Sequence, residues 1–162
     1  MKQQKVTAYI AVVLIVLTTG FIFVNSALPE EKSNSVSKTT AQAVEAMVTD
    51  DGAKEAKPIS IFLIKYIRKA AHAVEFFALG LFICLFQAAG SRFDRASVVQ
   101  IGALLLETAT IDESFQILSV RGSNVRDILL DFVGGAVAVF LFLILYFAVT
   151  RLQKTVRKKK EG

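Results

Sequence analysis

Four long blocks of apolar residues, each enough to cross a bilayer as a helix, constrain this 162-residue chain more than any other feature. They run from Ala8 to Val24, from Ile59 to Ala89, from Ala96 to Phe115 and from Ile128 to Val149. Within each block the apolar residues are continuous and do not alternate, which predicts helices and excludes the strands of a membrane barrel. The first block follows Lys2 and Lys5, and Val24-Asn25-Ser26-Ala27 offers small residues of the kind that signal peptidases cut. At about 17 residues it exceeds the usual apolar core of a signal peptide, so a retained helix is expected.

Composition agrees with this reading. Hydrophobic residues make up 54% of the chain and charged ones 20%, a more apolar balance than a soluble domain carries. Thirteen Phe stand against three Tyr and no Trp, a lipid-facing palette with a thin aromatic belt. A single cysteine excludes an internal disulfide framework and a cysteine-based zinc site. Cys84 lies in a Phe/Leu/Ile run and is expected to be a small buried hydrophobe.

The expected fold class is all-α, an integral membrane four-helix bundle with an extracytoplasmic polar cluster. Residues 1–25 form the first transmembrane helix and 26–58 an extracytoplasmic loop. A three-helix core follows over 59–150, and 151–162 is a basic cytoplasmic tail. Within the loop Val36, Val44, Met47 and Val48 share a helical face, so a short surface helix and a solvated linker both stand open. Four crossings return the chain to its starting side. Lys and Arg are nearly balanced between the two sides. The compact cluster Arg151, Lys154, Arg157, Lys158, Lys159 and Lys160 at a helix end therefore decides the orientation, with both termini in the cytoplasm of a multi-pass plasma-membrane protein. Contact with anionic headgroups accounts for this tail without a nucleic-acid partner.

An ionisable side chain in mid-membrane costs about 2.5–3.5 kcal/mol on insertion scales, so those inside the blocks carry information. Arg68, His72 and Glu75 are spaced i, i+4, i+7 and line one face of the second helix, with Lys69 beside them. Asp112 and Gln116, with Glu113 adjacent, close the third block; Asp127 and Asp131 open the fourth. Arg121 stands in the turn cluster Arg121-Gly122-Ser123-Asn124 between them. Three helices thus present polar faces at one depth, and these are expected to meet inside the bundle. The plainest role is an ion-paired cap in which Arg68, Lys69 and Arg121 neutralise the carboxylates. A binding site for an anionic headgroup or sugar phosphate, with Arg68 and Arg121 as its partners, is the sharper reading. A catalytic one gives His72 acid/base work beside Glu75 and Asp127. The set His72, Glu75, Asp127 and Asp131 can also hold a divalent metal, although no ligand motif fixes one, and neither metal nor cofactor is called for. Glu107, mid-way along the third block, either pairs across helices or is held neutral by desolvation, and a proton or substrate pathway through it is the alternative. Asp127 also suits a helix N-terminus, and Gly80, Gly102, Gly134 and Gly135 suit close helix contacts.

Arg68-Lys69-Ala-Ala-His72-Ala-Val-Glu75-Phe76-Phe77, followed by Leu79-Gly80, resembles the second-helix motif of VanZ-like membrane proteins. Ile111-Asp112-Glu113-Ser114-Phe115-Gln116 is similar to their third-helix end, and Arg121-Gly122, Asp127 and Gly134-Gly135 to their loop and fourth helix. Phe23-Val24-Asn25-Ser26-Ala27-Leu28-Pro29, with Ser33 and Ser37, resembles the exit from their first helix. The resemblance covers roughly residues 10 to 145, with four motifs in order. It implies a small envelope protein of Gram-positive bacteria, in a family named for an accessory of glycopeptide resistance that lowers susceptibility to the lipid-tailed drug teicoplanin. Asp131 departs from the asparagine of many relatives and adds a carboxylate beside Asp127.

The resulting expectation is a protein that binds or modifies an anionic cell-envelope component through Arg68, Lys69, His72, Glu75, Asp112, Glu113, Gln116, Arg121, Asp127 and Asp131. Membrane lipids are its surroundings, and an anionic envelope lipid or lipid-linked precursor is its partner. Two other readings stand beside it: an enzyme acting on a lipid or lipid-linked phosphate or sugar, and a structural or transporter accessory subunit sensitive to Glu107.

Overall fold

The computed structural model describes residues 2–28, 39, 59–90, 93–119 and 124–161. The apolar blocks become four long helices: α1 (Lys2–Ala27), α2 (Ile59–Gly90), α3 (Arg95–Leu118) and α4 (Val125–Glu161). No strand occurs among the described residues. The expected surface helix of the loop, with Val36, Val44, Met47 and Val48, lies outside them.

Three helices, α1, α2 from Tyr66 onward, and α4, are long and apolar enough to cross a membrane. Helix α3 carries Glu107, Asp112 and Glu113 and is more polar than these three, yet it packs alongside α2. Gln87 of α2 donates to Gln100 of α3 (3.1 Å) near one end of the pair. At the other end His72 of α2 faces Asp112 of α3. The two helices therefore run antiparallel through the same layer, and 24 residues of α3 extend about 36 Å at 1.5 Å per residue. The bundle's outer surface is apolar, with Val16, Leu17 and Phe21 of α1 and Phe140, Ile144 and Leu145 of α4 all exposed. Side chains of this kind facing outward over the length of a helix belong against lipid.

Helix α2 is the hub, packed against α1 on one side and α4 on the other. Glycine makes the α2–α4 approach possible. A Cβ at Gly80 would lie 2.8 Å from the Gly135 carbonyl oxygen, and one at Gly134 would run into the Ala73 carbonyl. Gly135 in turn makes room for Leu105 of α3, whose Cδ1 would be 2.7 Å from an added Cβ. Small residues at such points let backbones meet, and dispersion contacts then hold helices that no hydrophobic effect drives together in lipid. Gly102, expected to join these contacts, does not: nothing lies within 4 Å of where its Cβ would be.

Between these approaches lies a dry core of Ile22, Phe76, Leu79, Ile83, Cys84, Ile101, Leu105 and Ala109. Cys84 is free and fully buried there, the small hydrophobe its surroundings in sequence suggest. At the end near the chain's termini Phe93, Phe142 and Tyr146 stack, with centroids 5.5 and 5.6 Å from Phe93.

Helix α3 starts on a capping box. Asp94 accepts from the Ser97 backbone N–H (2.8 Å), while the Ser97 hydroxyl reaches back to the same residue. The Ser97 backbone bond, joined by its hydroxyl, holds the Asp94 carboxyl below the usual carboxylate range. A depressed pKa means that this cap is in force above the ordinary range and weakens as the pH falls through the lowered value. Protection factors in the first turn of α3, with the intrinsic pH dependence of exchange divided out, should therefore fall in acid for the native chain. Asp94→Asn keeps an acceptor but cannot titrate, so its protection factors should lose that pH dependence.

Helix α4 continues through Arg151, Lys154 and Arg157 to Glu161, where the sequence suggested a separate tail. The stretch has neither Gly nor Pro before Gly162 and is rich in helix-favouring Lys, Arg, Gln and Leu, so nothing local stops the helix.

Candidate functional site

The polar faces meet at the end of the bundle opposite the chain termini, where α1 ends, α3 ends and α4 begins. Helix periodicity accounts for each contribution. Arg68, Lys69, His72 and Glu75 occupy little more than two turns of α2, and Asp112, Glu113 and Gln116 one turn of α3. Asp127 and Asp131 stand one turn apart at the start of α4.

At the centre stands Asp112, fully buried. Its Oδ2 accepts from the Gln116 side-chain amide (2.9 Å), and His72 Nδ1 lies 4.0 Å from the same oxygen. His72 Nδ1 is also 3.6 Å from Glu75 Oε2, so the imidazole sits between a carboxylate of its own helix and one of α3. Asp131, 2% exposed, closes the group from α4. Donor atoms of His72, Asp112 and Asp131 all lie within 4.8 Å of one another. The fourfold set His72, Glu75, Asp127 and Asp131 suggested by spacing is thus regrouped. Asp112 comes in, while Asp127 is taken up by Lys69 in a part-buried ion pair and Glu75 Oε1 accepts from Asn25 (3.0 Å).

The remaining acids have structural duties. Glu113 Oε1 accepts from the backbone N–H of Asn124 (2.6 Å), fixing the entry into α4. Asn124 caps that helix through its side-chain oxygen, which accepts from Arg126 N–H (3.0 Å). Asp127 lies in the first turn of α4, where the helix dipole favours a carboxylate. The ion-paired cap expected from sequence is therefore present in part, through Lys69 and Asp127. It leaves the inner group untouched: among the described side chains, His72 Nδ1, Glu75 Oε2, Asp112 Oδ1 and Glu113 Oε2 are buried without a hydrogen-bond partner. Buried polar atoms of this kind cost about 1–3 kcal/mol each when left unmet, and charged ones more, so four in one place require an explanation.

Two spaces adjoin the cluster. One is a small cavity of about 20 Å³ between Arg68, Lys69, His72, Gln116, Asp127 and Asp131, room for about one water or one ion. The other is an open groove of about 510 Å³ on the α1–α2 face, lined by Leu17, Thr18, Phe21, Val74, Glu75 and Ala78. It is apolar except at Thr18 and Glu75, and Glu75 joins it to the cluster.

Every residue expected at the site that falls in the described part lies at this end. Arg121 lies outside the described residues. Glu107 does not join: its side chain is exposed on the outer face of α3, in the middle of the helix. The residue that sequence reasoning did not assign to the site is Asn25, whose amide ties α1 to Glu75; a lone Asn where an apolar block ends was the available signal. Ser119 adds a second tie from α3 to the same end of α1, its hydroxyl donating to the Ser26 carbonyl (3.0 Å).

Among known proteins, a family model described as VanZ/LLP1 matches residues 9–146. No curated protein and no solved structure gives a significant match.

Proposed function

We propose, from the premise that this chain belongs to the VanZ/LLP1 family, that it holds an anionic component of the cell envelope, with its head at the polar cluster and its chain in the adjoining groove. The observation that carries this reading is that Glu75, at the end of the groove, lies 3.6 Å from His72, which lines the small cavity. An apolar groove opens sideways between α1 and α2 and runs up to Glu75, where the polar cluster begins. An amphipathic molecule fits that shape, apolar along the groove and polar at its end. Arg68 and Lys69 line the small cavity on the cluster's rim and supply the cations for a phosphate or carboxylate, with Arg121 as the expected third. Occupation of such a lipid, or its remodelling, reduces the access of lipid-tailed glycopeptides to their target, which is the phenotype the family's name implies.

Lipids extracted from the purified protein test this reading. An anionic envelope lipid should be enriched relative to the host membrane, and Ala78→Trp, which fills the groove, should reduce the enrichment at least fivefold. A co-purified lipid profile matching bulk membrane in both proteins would refute the reading.

A second reading has its own observation. His72 Nδ1 lies 3.6 Å from Glu75 and 4.0 Å from Asp112, an imidazole beside two carboxylates of the kind used in acid/base chemistry, so the held lipid can also be a substrate. An altered lipid species that requires His72 would separate turnover from binding.

The orientation belongs to the same proposal. The basic end of α4, with Arg151, Lys154 and Arg157, is placed in the cytoplasm and the polar cluster on the outer side. In a Cys84→Ala background, Leu118→Cys at the exposed end of α3 should react with a membrane-impermeant thiol reagent added to intact cells. Lys154→Cys should react only after lysis. The reverse pattern would invert the topology.

A further inference from the structure

We propose that His72, Asp112 and Asp131 form a binding site for one divalent first-row metal ion, of the Mn²⁺ or Zn²⁺ type. The three residues come from α2, α3 and α4, and each offers one donor atom within 4.8 Å of the others. One imidazole and two carboxylates make a borderline-to-hard donor set that suits these ions and binds Cu(I) poorly.

Proximity of acids alone would not single out this group. The second observation is the unspent bonding capacity inside it. Asp112 is fully buried, its Oδ2 is committed to Gln116, and its Oδ1 has no partner. His72 Nδ1, the nitrogen that faces Asp112, is likewise buried and unpartnered. Asp131 is almost as deeply buried as Asp112. Lys69, a cation of the same helix as His72, pairs with Asp127 on the rim. A divalent ion supplies two positive charges to two buried carboxylates and accepts the imidazole lone pair. It thereby meets together what the protein groups leave unmet.

Size and geometry fit. The cavity lined by His72 and Asp131, and by Gln116 that is bonded to Asp112, holds about 20 Å³, and an ion needs no more than the space of one water. Bonds of about 2.0–2.2 Å require donor atoms roughly 3.3 Å apart, so the group must contract by about an ångström. Rotation of the Asp112 and Asp131 carboxyls can provide that contraction. Gln116, bonded to Asp112, orients one ligand from outside the site, the role that supporting hydrogen bonds commonly play at metal centres. Glu75 Oε2 lies 3.6 Å from the same His72 nitrogen, and its other oxygen is held by Asn25, so Glu75 flanks the site.

This inference stands apart from the envelope-lipid reading, because ion binding can be measured with no envelope component present. The full chain in phosphatidylcholine nanodiscs, stripped with a chelator, is titrated with Mn²⁺ alone while electron-spin resonance reports free ion. The wild type should take up one ion per chain and release it to Zn²⁺. Asp112→Asn and Asp131→Asn should each weaken uptake by at least tenfold, whereas Glu107→Gln on the outer face should not change it. Asparagine can still accept from Gln116, so Asp112→Asn preserves the neighbouring bond. A measurement on the wild type alone guards against variants that fail to fold: the bound Mn²⁺ should show one directly coupled imidazole nitrogen in its pulsed spectrum. No stoichiometric uptake, uptake that survives both asparagine variants in folded protein, or bound ion without nitrogen coupling would each overturn the site.

Discussion

Gly134→Leu should prevent the bundle from closing. A side chain at this position runs into the Ala73 carbonyl of α2, which is backbone and cannot turn aside. The only relief is to move α4 away from α2, and that movement opens the neighbouring approach of Gly80 to Gly135 and the seat of Leu105. Overpacking a well-fitted contact typically costs about 1–3 kcal/mol, and a backbone clash at the most extensive helix pair belongs at the upper end, about 3 kcal/mol. Thermal unfolding in detergent should show a loss of at least 10 °C, or the variant should fail to accumulate. Gly102→Leu supplies the comparison. It adds the same side chain to a transmembrane glycine with open space around it and should leave the unfolding temperature within a few degrees. Equal effects of the two substitutions would mean that the α2–α4 approach does not depend on glycine.

The second large effect concerns function. His72→Gln should lower the envelope phenotype at least tenfold while leaving the amount of protein in the membrane unchanged. Glutamine keeps a polar group of similar reach next to Glu75 and Asp112 but can neither carry a proton near neutral pH nor offer an imidazole nitrogen. If the cluster merely caps the bundle, the determining contacts are Lys69 with Asp127, Asn25 with Glu75 and Glu113 with Asn124. None of these involves His72. A purely structural cluster therefore predicts little change in phenotype for His72→Gln and a parallel loss of protein and phenotype for Lys69→Ala. A working site predicts that the two variants part company.

How much of this was legible in the sequence depended on whether the signal was local. The four helices and their even count follow from block length, and the stripe Arg68, His72, Glu75 follows from helix period together with the cost of charge in a bilayer. That three polar stripes converge could be argued, since facing lipid would leave each unpaired. The pairing inside the cluster could not. Asp112 and not Asp127 faces His72, and Asp127 goes to Lys69, because the rotation of each helix follows from interhelical contacts such as Gly134 against Ala73, which only the packed bundle reveals. Asn25 reaches Glu75 across fifty positions of chain, and nothing in the first block alone marks its partner. Gly102 and Glu107 show the converse. Both have residue types that suggest an interhelical role, yet Glu107 is exposed on the outer face of α3 and nothing lies within 4 Å of the Gly102 Cβ position, and both outcomes depend on how α3 is set in the bundle. The basic stretch after Val149 left the end of α4 open for a simpler reason: charge marks where a helix leaves the membrane, while Gly or Pro marks where it stops.

In the function proposed above, the cluster formed by His72, Asp112 and their neighbours handles an envelope lipid and is more than a closure of the bundle. The most direct measurement is envelope-lipid mass spectrometry on a strain lacking the gene, complemented with wild type, His72→Gln or Gly102→Leu at matched membrane abundance. The account predicts that at least one anionic lipid species, in the cells or bound to the recovered protein, differs between the wild type and His72→Gln, with Gly102→Leu matching the wild type. Identical anionic lipids in the wild-type and His72→Gln strains, both in the cells and on the recovered protein, would contradict it.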